Sequence, residues 1–160
     1  MHRTKNDLQE SIRVKLVELL NDRLADSIDL MMQAKQAHWN VKGPDFIQLH
    51  ELFDKAKDDL EEYVDVIAER AAQLGGTVEG TIRAVSKRST LDEYPLDIVD
   101  GKAHVDCLSS AIAKVAKTTR QAIGRADELN DAVTADLFTE VCRGLDKLLW
   151  MVEAHLRAER

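Results

Sequence analysis

The chain contains few of the residues that interrupt helices or cross-link chains. Its 160 residues include two Pro, seven Gly and two Cys, and only 4% are aromatic. Cys107 and Cys142 lie in separate helical patterns without a CxxC spacing. This predicts buried thiols in a reducing compartment, although the sequence leaves a disulfide open. No segment has the roughly 20 consecutive apolar residues that a membrane-spanning helix requires, so no membrane association is expected.

Charge and composition favour a globular protein that is not a general nucleic-acid binder. The net charge is −7, with 44% hydrophobic and 32% charged residues. An acidic surface repels phosphates and attracts cations. Residues 1–7 form a short N-terminal tail without the apolar run of a signal peptide, so a cytoplasmic location is expected.

Apolar residues recur at three- and four-residue steps through most of the chain, which predicts four long helices. The Gly43-Pro44 pair ends the first helix, and the Gly75-Gly76 pair ends the second. The predicted helices cover about Leu8–Asn40, Asp45 to Gly75-Gly76, Lys102–Leu129 and Val133–Arg157, with Asp131 or Thr134 as a possible cap of the last.

The pattern weakens between Gly76 and Gly101, where Tyr94-Pro95-Leu96-Asp97 suggests a short helix or turn. A short loop, a crossover of about 25 residues and a second short loop are typical of a ferritin-like bundle. The predicted fold is therefore an all-α four-helix bundle with one long crossover that contains a short helix. Residues 1–160 are expected to form a single domain.

Side chains of the metal-ligand type are concentrated near the first loop and along the second helix. His38 continues the apolar face of the first helix at its end, and the second helix carries the other four, His50, Asp54, Asp65 and Glu69. At about 100° per residue, these four fall within roughly 100° of one another. Asp54 and Asp65 are nevertheless roughly 16 Å apart along the axis. If all are ligands, the two pairs must meet across an antiparallel helix, most simply that of a second copy.

Each of these residues also has an ordinary structural interpretation. An isolated His on an apolar face, such as His104 or His155, is more often structural or exposed. Isolated carboxylates are more often solvated or ion-paired, with Arg70 as the obvious partner on the second helix. The metal interpretation therefore depends on the combined pattern.

That pattern resembles the Dps family of mini-ferritins over essentially the whole chain. The resemblance is carried by His38-Trp39-Asn40-x-x-Gly43-Pro44-x-Phe46, by Leu49-His50-x-x-Phe53-Asp54, by Asp65-x-x-Ala68-Glu69-Arg70 and by Leu74-Gly75-Gly76. The stretches Tyr94-Pro95-Leu96-Asp97, Thr134-Ala135-Asp136-Leu137 and Leu145-Asp146-Lys147-x-x-Trp150 fit as well.

The resemblance implies a hollow dodecamer with a ferroxidase centre at each two-fold interface. His38, His50 and Asp54 of one chain would face Asp65 and Glu69 of its neighbour. Iron(II) would be oxidised, preferably by hydrogen peroxide rather than oxygen, and stored as ferric mineral, which protects against oxidative stress. Zinc or manganese could occupy the same site.

Further residues have roles that the resemblance suggests. Trp39 could donate electrons to stray oxidants, although packing is the commoner role of a tryptophan, more so for Trp150. The resemblance also places acidic three-fold pores near the start of the last helix. Asp136 is the first choice for a pore and Asp131 the second, with capping an equal explanation of Asp131. Asp127 and Asp146 lie nearby in the sequence.

Two other functions remain open. Some members of the family bind DNA through a lysine-rich tail, so the alternative is a nucleoid-associated protein that compacts DNA in stress, with iron chemistry secondary. Here the leading segment offers only Arg3 and Lys5, and tight DNA binding is not expected. Di-iron sites within one bundle use Glu-x-x-His. No His of this chain has Glu three residues before it, which disfavours that type of site.

Overall fold

The computed structural model describes residues 1–156, and their regular structure is helical apart from one isolated bridge between Lys42 and Asp100. The helices are α1 (Glu10–Asn40), α2 (Phe46–Gln73), α3 (Ile82–Arg88), α4 (Gly101–Glu128) and α5 (Ala132–Glu153), followed by a 3₁₀ turn over Ala154–Leu156. Within residues 1–156, no helix combines the length and apolar character needed to cross a membrane.

The four long helices form a bundle of two helical hairpins. The α1 helix packs chiefly against α2, and α4 packs chiefly against α5, while α1 also contacts α4 and α2 contacts α5. The apolar faces merge into a single core, whose largest fully buried side chains include Phe53, Phe138 and Leu60. The predicted all-α ferritin-like bundle with one long crossover is thereby confirmed.

Two predicted details differ from the structure. The short helix of the crossover is α3, whereas Tyr94–Asp97 contains only a bend at Leu96 and Asp97. The first helix begins at Glu10 instead of Leu8. The helix end predicted at Arg157 lies outside the described residues.

The Gly75-Gly76 pair ends α2 as the sequence predicts. Gly75 has a φ of +82°, and its N–H donates to the carbonyl of Ala72 while that of Gly76 donates to Ala71, each at 2.9 Å. These two bonds form a Schellman motif, which satisfies carbonyls that the helix end leaves free. A side chain at Gly76 would collide with Val17 of α1.

Polar side chains of α1 hold the crossover in place. Asn21 donates to the Thr77 carbonyl and accepts from the Glu79 amide, both at 3.0 Å. The buried carboxylate of Asp26 accepts from the Thr90 amide at 2.8 Å. These side chains satisfy backbone N–H and C=O groups of the crossover, which form no helical or strand hydrogen bonds and would otherwise need water as a partner. The crossover is therefore fixed against the middle of α1.

Candidate metal centre

His38 and His50 form a reciprocally hydrogen-bonded pair where α1 ends and α2 begins. The Nδ1 atom of each ring lies at hydrogen-bond distance from the other residue's carbonyl, 2.8 Å for His38 to His50 and 2.9 Å for the reverse. The rings stack with centroids 3.7 Å apart. Because a carbonyl can only accept, each Nδ1 carries the proton in the neutral ring. Each Nε2 therefore keeps the lone pair that a metal ion requires.

Asp54 follows His50 by one turn of α2 and adds a carboxylate to the pair. Its Oδ1 lies 3.8 Å from Nδ1 of His38, and its side chain is 43% exposed. The Lys35 ammonium forms an ion pair with the same oxygen. This hydrogen bond holds the pKa of the Asp54 carboxyl below its usual value. The carboxylate is thus ionised and already bound to a cation.

Lys35 is the residue of this region that the sequence analysis missed. It precedes His38 by three residues, so both side chains lie on one face of α1. The three-residue spacing could have identified Lys35 as a neighbour of His38. A protonated lysine cannot bind a metal ion, however, so Lys35 is not considered when only metal ligands are sought.

Asp65 and Glu69 are exposed on the later half of α2, away from the histidine pair. Glu69 borders a surface depression together with Asp136 and Glu140. Among residues 1–156, no three His, Cys, Asp or Glu side chains are grouped closely enough to hold an ion. One copy of the chain therefore pairs His38 with His50 and places Asp54 beside His38, but it does not group the three as a metal site, and Asp65 and Glu69 lie apart from them.

Both tryptophans are exposed in the single protomer, so neither packs in the protomer's own core. Trp39 is 60% exposed and Trp150 is 67% exposed. The Lys35 ammonium lies 6.0 Å from the centroid of the Trp39 ring, within the range of a cation–π contact. The periodic pattern identified apolar helix positions, but these two point away from the protomer's own core.

Asp131 serves as a cap and a buried ion-pair partner. Its side chain accepts from the Thr134 amide at 3.2 Å, which confirms the capping interpretation, and the Arg70 guanidinium binds both its oxygens, at 2.9 and 3.0 Å. Burial raises the pKa of Asp131, but the hydrogen bonds from Thr134 and Arg70 outweigh this effect and lower it overall. The carboxylate is 3% exposed and has no free face for a passing ion.

The other acidic residues in and near α5 differ in whether their carboxylates are free to meet an incoming cation. Asp136 and Asp127 are exposed. Asp146 is bound by Arg120 at 2.7 Å. The predicted pore position Asp136 therefore remains accessible, whereas Asp131 does not.

The remaining cysteines and histidines have structural positions. Cys107 is half-buried, Cys142 is buried, and both are free thiols, so no disulfide joins them. His104 is buried, and its Nδ1 lies 2.7 Å from Oη of Tyr94. His155 is exposed. The structural or surface interpretation of these two histidines is confirmed.

Comparison with known proteins identifies the family of the chain. The sequence profile of the ferritin-like domain matches residues 17–160. The DNA protection during starvation protein of Agrobacterium fabrum is 47% identical over 156 residues, which span 98% of this chain and 96% of that protein. The chain belongs to the Dps family.

Solved Dps structures superpose closely on the bundle. Dps of Mycobacterium smegmatis gives a TM-score of 0.93 at 34% identity, with 99% of this chain and 95% of that one covered. A Vibrio cholerae Dps, described as a member of a broad superfamily of ferritin-like diiron-carboxylate proteins, gives 0.91 at 27% identity, with 98% of each chain covered. The family assignment made from sequence motifs along the whole chain is confirmed.

Proposed function

We propose that this Dps protein oxidises iron(II) with hydrogen peroxide at a site shared by two copies of the chain, and stores the ferric product inside a hollow dodecamer. The reciprocal bonds of His38 and His50 carry the proposal, because they leave an unprotonated Nε2 atom on each ring, and the Asp54 carboxylate lies 3.8 Å from Nδ1 of His38. Imidazole nitrogens and carboxylate oxygens together suit iron(II) as a substrate ion. The diiron-carboxylate description of the Vibrio cholerae relative supports the same chemistry.

The stoichiometry of peroxide reduction explains why paired ions matter. Hydrogen peroxide accepts two electrons, one from each of two iron(II) ions, and two protons, which gives two waters and two iron(III) ions. A lone iron(II) ion supplies a single electron and releases a hydroxyl radical. Pairing the ions therefore consumes iron(II) and peroxide, the two reactants that generate hydroxyl radical. This agrees with the name of the Agrobacterium relative, DNA protection during starvation protein. Oxygen is the alternative oxidant.

Asp65 and Glu69 of a second copy would complete each site. Both are exposed, and the helix rise separates Asp54 from Asp65 by roughly 16 Å, too far for one ion. An antiparallel contact between two α2 helices would place each acidic pair opposite the other copy's histidines. Exposed apolar side chains such as Trp39, Trp150 and Val133 support burial against further copies.

Three nearby residues would assist this chemistry. Lys35 would occupy the Asp54 carboxylate until iron(II) displaces it. Trp39, directly after His38, would donate electrons to oxidants that escape the site. Asp136 would line the pore for incoming iron, whereas Asp131 is withdrawn from that role because Arg70 and Thr134 occupy its carboxylate. Zinc or manganese would compete for the same His and carboxylate ligands.

The alternative function, compaction of DNA, is supported by the relatives' name but opposed by two observations. The net charge of −7 repels phosphates. In addition, the N-terminal tail lies against the end of α2, where the His2 amide donates to the Gly75 carbonyl at 2.6 Å. The side chain of Arg13 holds the same turn, at 2.9 Å from the Leu74 carbonyl. The few basic residues of the tail are thus held close to the bundle.

The test of this proposal is anaerobic loading of the protein with iron(II), followed by peroxide or oxygen. We expect rapid oxidation with peroxide, about two iron(II) consumed per peroxide, and ferric iron that co-migrates with an assembled particle. Asp58→Asn, an exposed carboxylate on the same helix, is the matched control for Asp54→Asn. A monomer that oxidises no iron, or an Asp54→Asn variant as active as Asp58→Asn, would contradict the proposal.

A further inference from the structure

A buried phenol–imidazole pair connects the crossover to α4. Tyr94 Oη lies 2.7 Å from Nδ1 of His104, and the rings are stacked with centroids 6.0 Å apart. Tyr94 is 8% exposed and His104 is 1% exposed. Neither residue has a part in the iron chemistry proposed above, yet a phenol with a basic nitrogen as its partner has a chemistry of its own.

The surroundings fix the direction of the hydrogen bond. Burial lowers the pKa of the His104 imidazole and raises that of the Tyr94 phenol, so both groups are neutral. The backbone carbonyls of Asn40 and Ile98 act against this lowering of the His104 pKa, because they favour a proton on the ring. The Nε2 atom is buried and makes no hydrogen bond of standard geometry. The phenol therefore donates to Nδ1 as the acceptor of the pair.

This arrangement makes Tyr94 easier to oxidise than a phenol without a base. Loss of an electron from a phenol makes its proton strongly acidic, and a neutral imidazole at hydrogen-bond distance can accept that proton at once. Tyr94 also lines a surface depression together with Trp39 and Leu96. Trp39 directly follows the proposed ligand His38, so the depression places Tyr94 next to the residue that adjoins the proposed metal centre.

We propose that Tyr94 is the final electron donor for one-electron oxidants that escape the metal centre, with His104 as its proton acceptor. A hydroxyl radical takes one electron from Trp39 and becomes hydroxide. Tyr94 then returns one electron to Trp39 as its O–H bond breaks and the proton moves to Nδ1 of His104. The products are a neutral tyrosyl radical and an imidazolium. A later electron from iron(II) restores the phenol as the proton moves back.

The proposal rests on the proposed function only for the source of the oxidant, so its test begins without iron. A ruthenium tris-bipyridine photo-oxidant generates a strong one-electron oxidant beside the iron-free protein, and samples are freeze-quenched for electron paramagnetic resonance. We expect a tyrosyl radical in the wild type and its loss in Tyr94→Phe. Tyr63→Phe is the matched control, because Tyr63 and Tyr94 are the only two tyrosines and Tyr63 packs against Gly144.

To test His104 as the proton acceptor, we choose a measurement that would not change if His104 only held the structure together. His104→Gln keeps a hydrogen-bond acceptor but lacks a basic nitrogen. We expect slower formation of the tyrosyl radical, an altered g-tensor and a smaller solvent deuterium effect, while the circular dichroism spectrum stays unchanged. A tyrosyl signal that persists in Tyr94→Phe, or one that is the same in His104→Gln as in the wild type, would overturn the proposal.

A second arm with iron(II) and peroxide separates this proposal from the ferroxidase function. Tyr94→Phe should oxidise iron at the wild-type rate but accumulate more oxidative damage to its own side chains. Unchanged damage in that variant would contradict the protective role. A Tyr94 radical in the iron-free arm of a protein that oxidises no iron would support the donor pair and refute the proposed function.

Discussion

His38 and His50, the proposed metal ligands, hold each other in place through a local contact. Each backbone carbonyl accepts from the other residue's Nδ1, so the neutral tautomer with a free Nε2 is set before any ion arrives. The bonds also fix the ring planes, which are stacked at 22°. Fixed ring planes would lower the ordering cost of binding an ion at the proposed site.

At the same scale, Lys35 should weaken metal binding in the resting protein. The ion must displace the Lys35 ammonium from Asp54. We expect Lys35→Met, which keeps much of the apolar stem, to bind iron(II) more tightly in anaerobic titration calorimetry, and the pKa of Asp54 to rise. Lys55→Met is the matched control, because Lys55 pairs with Asp59 at 2.8 Å on the exposed side of α2. Equal affinities in the two variants would show that Lys35 does not compete.

At the scale of the helices, the Arg70–Asp131 pair joins the end of α2 to the start of α5. Arg70 also donates to Thr134 at 2.9 Å, so the three side chains form one buried network. Removing one partner leaves the other charge buried without compensation, which typically costs several kcal/mol. This contact positions the acidic half of α2, which carries Glu69, relative to α5.

Asp131→Asn should therefore lower the free energy of unfolding by about 3 kcal/mol. Urea denaturation at equal protein concentration measures this, with the exposed Asp127→Asn as control. The pKa of the Asp131 carboxyl is lower in the folded protein than in the unfolded chain. Its contribution to the free energy of unfolding is therefore complete above the usual carboxyl pKa. That contribution is lost as the pH falls through the lowered pKa. The difference from the wild type should shrink in acid. A difference that stays constant below pH 4 would contradict this account.

The sequence predicted the long helices and their ends better than the crossover. Apolar periodicity identified each bundle helix, and the Gly75-Gly76 pair marked an end that the backbone confirms. The α3 helix was misplaced because only Val85 of its seven residues is buried, so it has no apolar stripe. Its position depends on Arg88, which binds Glu18, Asp22 and Glu79, and such distant ion pairs leave no periodic signal.

The sequence led to a list of candidate site residues, but it did not show their environment. The spacing of His50, Asp54, Asp65 and Glu69 already indicated two separated pairs. Lys35 and the burial of Asp131 were not apparent, because both depend on contacts between different helices. The exposure of Trp150 was also missed, since periodicity does not show which apolar positions face a protomer's own core.

At the scale of the whole molecule, the negative charge should prevent tight association with DNA. Each chain carries a net charge of −7, and assembly would multiply it. We expect no gel shift of linear duplex DNA at physiological salt and at most a weak one at low salt. The Gly75→Ala variant serves as a comparison in the same gel-shift assay. Alanine is strained at a φ of +82°, and its Cβ would collide with the His2 carbonyl, so the substitution should release the N-terminal tail from the end of α2. A stable complex of the wild type at physiological salt would favour the alternative function.

Complementation between two inactive variants tests the shared site most directly. Asp54→Asn disables the histidine half and Glu69→Gln the acidic half, so each variant alone should oxidise iron(II) poorly with peroxide. When the two are unfolded together and reassembled, each mixed two-fold interface contains one intact site, and random pairing should restore about a quarter of the wild-type activity. Recovery to that level is the predicted result. A reassembled mixture no more active than either variant alone would contradict the shared site.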